Sequence, residues 1–111
     1  MKTSYSLTLS ASDIKIIRKM LISHKSRVSD TLQTNYKEYR TLIKLIETCE
    51  TMILCDNNSF LVILDSDEFG MIFEAYVSYH DEFDKSEYRE YGKMNAAFLV
   101  IAKILDQSKI I

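Results

Sequence analysis

The sequence predicts a mostly helical α+β fold in which a strand–helix–helix unit occurs twice. Residues 4–12, SYSLTLSAS, and residues 59–67, SFLVILDSD, each lead from a strand-like run into an amphipathic run with an acidic residue at its start. At an offset of 55, four residues recur: Ser4, Leu9, Ile17 and Ser23 as Ser59, Leu64, Ile72 and Ser78. At an offset of 52, the tetrapeptide YKEY of residues 36–39 recurs as YREY in residues 88–91. Self-similarity of this kind is typical of a duplicated supersecondary unit.

We therefore predict two pseudo-symmetric repeats, residues 4–55 and 59–108, within a single domain spanning residues 1–111. They would share a small antiparallel sheet of two or three strands, packed against four helices. The chain has 111 residues, of which 47% are apolar and 27% charged. This is the size and composition of one globular domain with a core of its own. The absence of Pro and the presence of only two Gly favour long helices over loops.

The first repeat begins with a strand, because residues 5–9 alternate apolar and polar side chains. Ser10 and Asp13 are spaced as the start of a helix. One face of that helix is formed by Ile14, Ile17, Leu21, His24 and Val28. We predict that it ends near residues 26–29 and that a second helix starts at the capping box of residues 30–33; one long bent helix is the alternative. The second stripe comprises Leu32, Tyr36, Tyr39, Ile43, Ile46 and Cys49.

The centre of the chain predicts a β-hairpin, with strands at 52–55 and 59–64 joined by the turn DNN, although residues 52–55 also fit a helix end. Because residues 60–64 are apolar throughout, we expect both faces of that strand to be covered. Asp65 and Glu68 then repeat the spacing of Ser10 and Asp13. The third helix carries Phe69, Ile72, Phe73, Tyr76 and Val77 inward. After a break near residues 83–86, the fourth helix carries Tyr88, Tyr91, Met94, Phe98, Ile101, Ile104 and Leu105 inward.

Charge is divided unevenly along the chain. Residues 1–55 hold nine Lys and Arg against five Asp and Glu, whereas residues 56–111 hold five against eleven. The most unusual surface candidate is an acidic, tyrosine-rich segment, the acidic tip, formed by Tyr79, Asp81, Glu82, Asp84, Glu87 and Glu90. Tyr is enriched at protein interfaces, and carboxylates steer association towards a basic partner. The alternative is that the neighbouring Tyr76, Tyr88 and Tyr91 pack between helices while the acids only solvate a turn.

A second candidate surface is the basic face of the first helix, formed by Lys15, Arg18, Lys19, Lys25 and Arg27. Such a row could follow a phosphate backbone. The net charge of −2 differs from that of a typical nucleic-acid-binding domain, and an ordinary solvated helix face explains the same residues.

No catalytic, metal or cofactor motif stands out, and we predict no enzyme, no cofactor and no metal. Asp65, Asp67 and Glu68 are explained by helix capping. His80, Asp81, Glu82 and Asp84 lie near a helix end, where solvated charge is common. Cys49 and Cys55 fit neither a CxxC nor a zinc pattern, and although Cys49–His24 or Cys55–His80 pairs are conceivable, no nucleophile signature surrounds them.

The composition, rich in Ile, Lys, Tyr and Ser and without Pro or Trp, is similar to that of small proteins of AT-rich bacterial viruses and mobile elements. We expect a cytoplasmic, non-enzymatic binding protein with no membrane span. Its concrete form is a virus-encoded or mobile-element-encoded inhibitor of a host nucleic-acid-handling or defence protein, whose basic surface receives the acidic tip. The alternative is a small dimeric DNA-binding regulator that uses the basic face. A homodimer that pairs sheet edges or buries apolar helix faces is expected, because so small a sheet leaves an edge exposed.

Overall fold

The computed structural model describes residues 4–32, 36–55, 57–83 and 91–108, and the side chains of residues 4–27, 37–55, 57–80 and 96–108. Within these ranges the chain forms a small α+β fold of four helices and a two-stranded antiparallel sheet. The order is β1 (Ser4–Ser10), α1 (Ala11–Leu32), α2 (Tyr36–Leu54), β2 (Ser59–Asp65), α3 (Ser66–Phe83) and α4 (Tyr91–Gln107).

The two strands are antiparallel, with Leu7 opposite Val62 at the centre of the register. Each strand has seven residues and buries its fourth and sixth: Leu7 and Leu9 in β1, Val62 and Leu64 in β2. Alternation places Tyr5 and Phe60 on the same inner face, where they are half-buried, and turns the intervening residues outward. The serines and threonine of β1 lie on that outer face, as alternation predicts.

Both strands lead into a helix through a reciprocal capping box. The Asp13 N–H donates to Ser10 Oγ, and the Ser10 N–H donates back to Asp13 Oδ2. In the same way the Glu68 N–H donates to Asp65 Oδ1, and the Asp65 N–H donates to Glu68 Oε1. These bonds satisfy amide groups that have no partner within the helix, and they confirm both predicted helix starts.

The core lies between the inner face of the sheet and the helices. In α2 the buried residues are Leu42, Leu45, Ile46 and Cys49, and in α4 they are Ala97, Val100, Ile101 and Ile104. Helix α1 contributes Ile14, Ile17, Met20, Leu21 and His24, and α3 contributes Met71, Ile72 and Ala75. The predicted inward face of α1 is confirmed except at Val28, which lies outside the described side chains. On α3, Ile72 is buried and the three predicted aromatic residues pack against the core, but Val77 is exposed.

Three expectations about the elements are wrong. Residues 52–54 are the end of α2, where the Cys55 N–H donates to the Met52 carbonyl, so the sheet has two strands in the described part of the chain. Strand β2 is covered on one face only, because Leu61 and Ile63 are 68% and 66% exposed. Helix α1 continues to Leu32, beyond the predicted end near residues 26–29, and α2 starts separately at Tyr36.

The inward face predicted for α4 is also partly wrong. Ile101 and Ile104 are buried, but Phe98 and Leu105 are exposed, and Ala97 and Val100 take the inward positions. The physical reason is that residues 96–102 are all apolar, so periodicity cannot select the face. Tyr88 lies outside the described residues, and Tyr91 and Met94 lie outside the described side chains.

Candidate functional site

The basic face predicted on α1 is divided by the fold. Lys15 and Lys19 are exposed, and neither has an ion-pair partner among the described residues. Arg18 lies 3.9 Å from Glu50 of α2, at the limit of an ion pair. Arg27 is on another side of the helix, where its Nη1 donates to the Ser78 carbonyl at 2.9 Å. Lys25 is half-buried. The five predicted residues therefore do not form one free basic surface; Lys15 and Lys19 remain as its accessible part.

Lys15, Arg18 and Lys19 line an open cleft between α1 and α2, with a volume of about 400 Å³. The α2 side of this cleft is formed by Glu50, Ile53 and Leu54. Leu54, the last residue of α2, is 87% exposed. The cleft therefore combines two free ammonium groups with an apolar floor. Sequence patterns do not indicate its apolar part, because Leu54 belongs to another helix and residues 52–55 fit a strand as well as a helix end.

Three other lysines with described side chains have acidic partners. Lys37 lies 3.5 Å from Asp67 and Lys44 lies 3.8 Å from Glu68, which joins α2 to the first turn of α3. Lys103 of α4 lies 2.6 Å from Asp13. The Lys37–Asp67 pair is exposed at both side chains and contributes little to stability. The two pairs between α2 and α3 nevertheless show that the basic first half and the acidic second half of the chain partly neutralise each other within the fold.

A buried histidine links α1 to α3. His24 is 6% exposed, and its Nδ1 lies 2.8 Å from the Ser78 hydroxyl oxygen, at a cleft also lined by Phe73, Glu74 and Val77. Burial lowers the pKa of His24, as does the Arg27 charge, while Glu74 and Glu38 oppose the shift. A hydroxyl beside a neutral imidazole is one requirement of nucleophilic catalysis. The described side chains provide no carboxylate hydrogen-bonded to the ring that would orient it, so the contact is explained by the satisfaction of a buried polar group.

Neither cysteine pairs with a histidine in the described part of the chain. Cys49 is buried, and burial raises the pKa of its thiol to about 11, so it is not a thiolate at neutral pH. Cys55 is exposed and its Sγ donates to the Thr51 carbonyl. Within the described residues, no three His, Cys, Asp or Glu side chains are grouped so as to hold a metal ion.

The acidic tip lies mostly outside the described residues. The side chains of Asp81 and Glu82 are not described, and Asp84, Glu87 and Glu90 belong to residues 84–90, which join α3 to α4. Tyr79 is half-buried and packs against the core, as does Tyr76. The aromatic groups at this end of α3 therefore contribute to packing.

Two further surfaces carry large exposed apolar side chains. On α4, Phe98 is 55% exposed and Leu99 is 58% exposed, and Leu105 extends the same side of the helix. On the sheet, Leu61 and Ile63 of β2 face outward beside Thr8 and Ser6 of β1. The Gln107 amide donates to the Thr8 carbonyl and accepts from the Thr8 N–H, so it takes the place of a neighbouring strand at the β1 edge.

No protein-family model matches this chain, and no curated protein or solved structure is significantly similar to it. None of the helices in the described part of the chain has the length and apolar character needed to cross a bilayer.

Proposed function

We propose that this chain is a non-enzymatic protein that acts in the cytoplasm by binding another macromolecule. The observation that carries the proposal is the solvent face of α4, where Phe98, Leu99 and Leu105 are exposed although the opposite face is buried. Residues 96–102 of α4 are apolar on every side, a pattern typical of a helix segment with partners on all sides. Exposed apolar side chains of this size, grouped on one element, mark interaction surfaces.

The proposed partner is a protein with a basic surface. Helix α4 begins at Tyr91, directly after the acidic tip, and Phe98 is seven residues, or about 10 Å of helix, further along. Apolar contacts would supply affinity, and the carboxylates of the tip would speed encounter and select a basic partner. A virus-encoded or mobile-element-encoded inhibitor of a nucleic-acid-handling or defence protein is the specific form of this proposal, since such proteins present basic grooves to nucleic acid.

Affinity capture from a host lysate, followed by mass spectrometry, tests this proposal. Three variants should be compared with the wild type: Phe98→Ser/Leu99→Ser, Glu82→Gln/Asp84→Asn, and the control Leu61→Ser/Ile63→Ser, which removes exposed apolar groups from the sheet. We expect the wild type and the control variant to capture a basic protein that the first two variants do not capture. The purified chain should also inhibit the activity of that protein. Partners that bind all variants equally would refute the proposal.

A small dimeric DNA-binding regulator is the second candidate. Lys15 and Lys19 favour it, because they are exposed and have no ion-pair partner among the described residues. Against it, Glu50 offsets part of the Arg18 charge, and the Arg27 guanidinium is engaged by the Ser78 carbonyl. It predicts retention on DNA that weakens with salt and is lost in Lys15→Glu/Lys19→Glu. Absence of retention at low salt would eliminate this candidate.

We also infer that the two halves are copies of one unit. Support comes from the offset of 55 that relates Ser10 and Asp13 to Asp65 and Glu68. The same offset relates the buried sets of α2 and α4, from Leu42 and Ala97 to Cys49 and Ile104, and the buried Leu9 and Leu64. The second offset, 52, relates only the tyrosine motifs. The predicted homodimer, formed through sheet edges or apolar helix faces, stays a prediction.

A further inference from the structure

We propose that the cleft between α1 and α2 is a binding site for an acidic peptide segment that carries an apolar side chain. None of the residues that line the cleft belongs to α4 or to the acidic tip, so this proposal does not rest on the one above. Its charged part consists of Lys15 and Lys19, and its apolar part consists of Ile53 and Leu54. The segment would come from a partner protein.

Charge complementarity identifies the acidic component. Lys15 and Lys19 are four residues apart on one helix, so their side chains emerge side by side, about 6 Å apart at Cβ. Carboxylates two residues apart on an extended peptide are separated by roughly 6.6 Å, which matches this spacing. Lys37, Lys44 and Lys103 have acidic partners within the chain, whereas Lys15 and Lys19 have none among the described residues. A partner's carboxylates would therefore displace no existing ion pair of these lysines.

The apolar floor identifies the second component. Leu54 is the most exposed of the large apolar side chains with described burial. Full burial of a leucine removes its apolar surface from water, which is a major source of binding free energy. A ligand that reaches Lys15 and Lys19 while covering Leu54 must combine acidic and apolar groups, as an amphipathic peptide does.

The same features disfavour nucleic acid. Two free lysines would neutralise about two phosphates, which gives a shallow salt dependence of roughly −1.8 in log–log slope. Glu50, which is 49% exposed and 3.9 Å from Arg18, lowers the positive charge of the cleft for a peptide and for a nucleic acid alike, so the apolar side chain decides between them. Leu54 would gain nothing from a sugar–phosphate chain. A peptide offers both sets of contacts.

Fluorescence anisotropy of the full chain with defined probes tests the proposal. The probes are a labelled poly-Glu peptide with one central Leu, the same peptide with Ser in place of Leu, and a labelled poly-dT oligonucleotide. We expect the Leu peptide to bind about tenfold more tightly than the Ser peptide, a difference that Leu54→Ser should abolish.

The matched variants isolate the lysines. Lys15→Gln/Lys19→Gln should weaken binding of the Leu peptide at least tenfold. Lys37→Gln/Lys44→Gln, which removes the same charge from α2, should change it less than twofold. Circular dichroism melts confirm that each variant is folded.

Four results would overturn the proposal. The first is that the Leu peptide does not bind at micromolar protein, and the second is that both lysine double variants weaken its binding equally. The third is that poly-dT binds more tightly than the peptide and depends on Lys15 and Lys19. The fourth is that the chain self-associates and that Lys15→Gln/Lys19→Gln abolishes this association. The third would assign the cleft to nucleic acid, and the fourth would assign it to a second copy.

Discussion

Replacement of Asp13 by alanine should cost more stability than replacement of Glu68, although both residues occupy the same position in a capping box. Asp13 Oδ2 accepts from the Ser10 N–H at 2.9 Å and from Lys103 Nζ at 2.6 Å, so it fastens the start of α1 to α4. Glu68 accepts from the Asp65 N–H at 3.0 Å, but Lys44 is 3.8 Å away and 72% exposed. The two carboxylates are about equally buried, with 14% and 15% of each side chain exposed.

The magnitudes follow from these contacts. Loss of a capping interaction costs about 1 kcal/mol in either box. Loss of a short charge-assisted bond to a half-exposed lysine adds about 1 kcal/mol at Asp13, discounted for solvent screening. Asp13→Ala should therefore lower the free energy of unfolding by about 2 kcal/mol, and the melting temperature by roughly 8 °C. Glu68→Ala should lower the free energy of unfolding by only about 1 kcal/mol.

Urea denaturation of Asp13→Ala, Lys103→Ala and the double variant measures the coupling directly. We expect an interaction energy of about 0.5 to 1 kcal/mol between the two residues. Burial acts to raise the pKa of Asp13, but bonds from Lys103 and Ser10 hold it below its ordinary 3.8. The stability contributed by the Asp13 carboxylate is therefore present above pH 3.8 and lost as the pH falls through the folded-state pKa. Equal costs at Asp13 and Glu68, with additive effects of Asp13 and Lys103, would refute this reasoning.

Two further predictions concern His24 and the cysteines. Burial lowers the pKa of His24, so the stability that its neutral form contributes is present above the ordinary value of 6.5 and is lost as the pH falls through the folded-state pKa. Urea denaturation over that pH range should show a decline in the free energy of unfolding, and His24→Gln should remove this decline. A decline of the same size in the variant would contradict this assignment. Iodoacetamide at mildly alkaline pH should modify exposed Cys55 and spare Cys49, because the Cys49 thiol is buried and has a pKa of about 11. Mass spectrometry of the native and the urea-unfolded chain measures the modification of each cysteine. Equal modification rates in the native chain would show that Cys49 is accessible.

The helix starts could be predicted from the sequence because their determinants are local. Ser10 and Asp13, like Asp65 and Glu68, need only each other's amide and side chain to form a capping box. The end of α2 could not be predicted, since residues 52–55, MILC, are a short apolar run that suits a strand as well as a last helical turn. The helical outcome depends on how α2 packs against its neighbours.

The face of α4 depends on side-chain volume. Ala97 is fully buried, whereas the adjacent Phe98 is 55% exposed, so the smaller side chain occupies the inward position. A continuous apolar run gives every face of a helix the same hydrophobicity, and shape then decides which face packs. The prediction for Phe98 and Leu105 relied on hydrophobicity and was wrong for this reason.

The candidate cleft was partly predictable, because Lys15, Arg18 and Lys19 are adjacent on the surface of one helix. Its apolar floor was not, since Ile53 and Leu54 belong to another helix and only the packing of α1 on α2 brings them together. His24 was correctly placed on the inward face of α1, but its partner Ser78 is 54 residues away. Long-range polar pairs of this kind leave no periodic signal in a sequence.

The residues proposed for binding are separable from the residues that stabilise the fold, which makes the binding tests decisive. Lys15 and Lys19 have no described ion-pair partner, and Leu54 is 87% exposed, so the substitutions proposed there should change the free energy of unfolding by less than about 0.5 kcal/mol each. Asp13 is different, because its removal breaks contacts within the folded chain. A cleft variant that loses binding with unchanged stability would therefore show that the substituted side chain contacts the ligand. A variant that loses both binding and stability would show that the side chain is part of the packing of the fold.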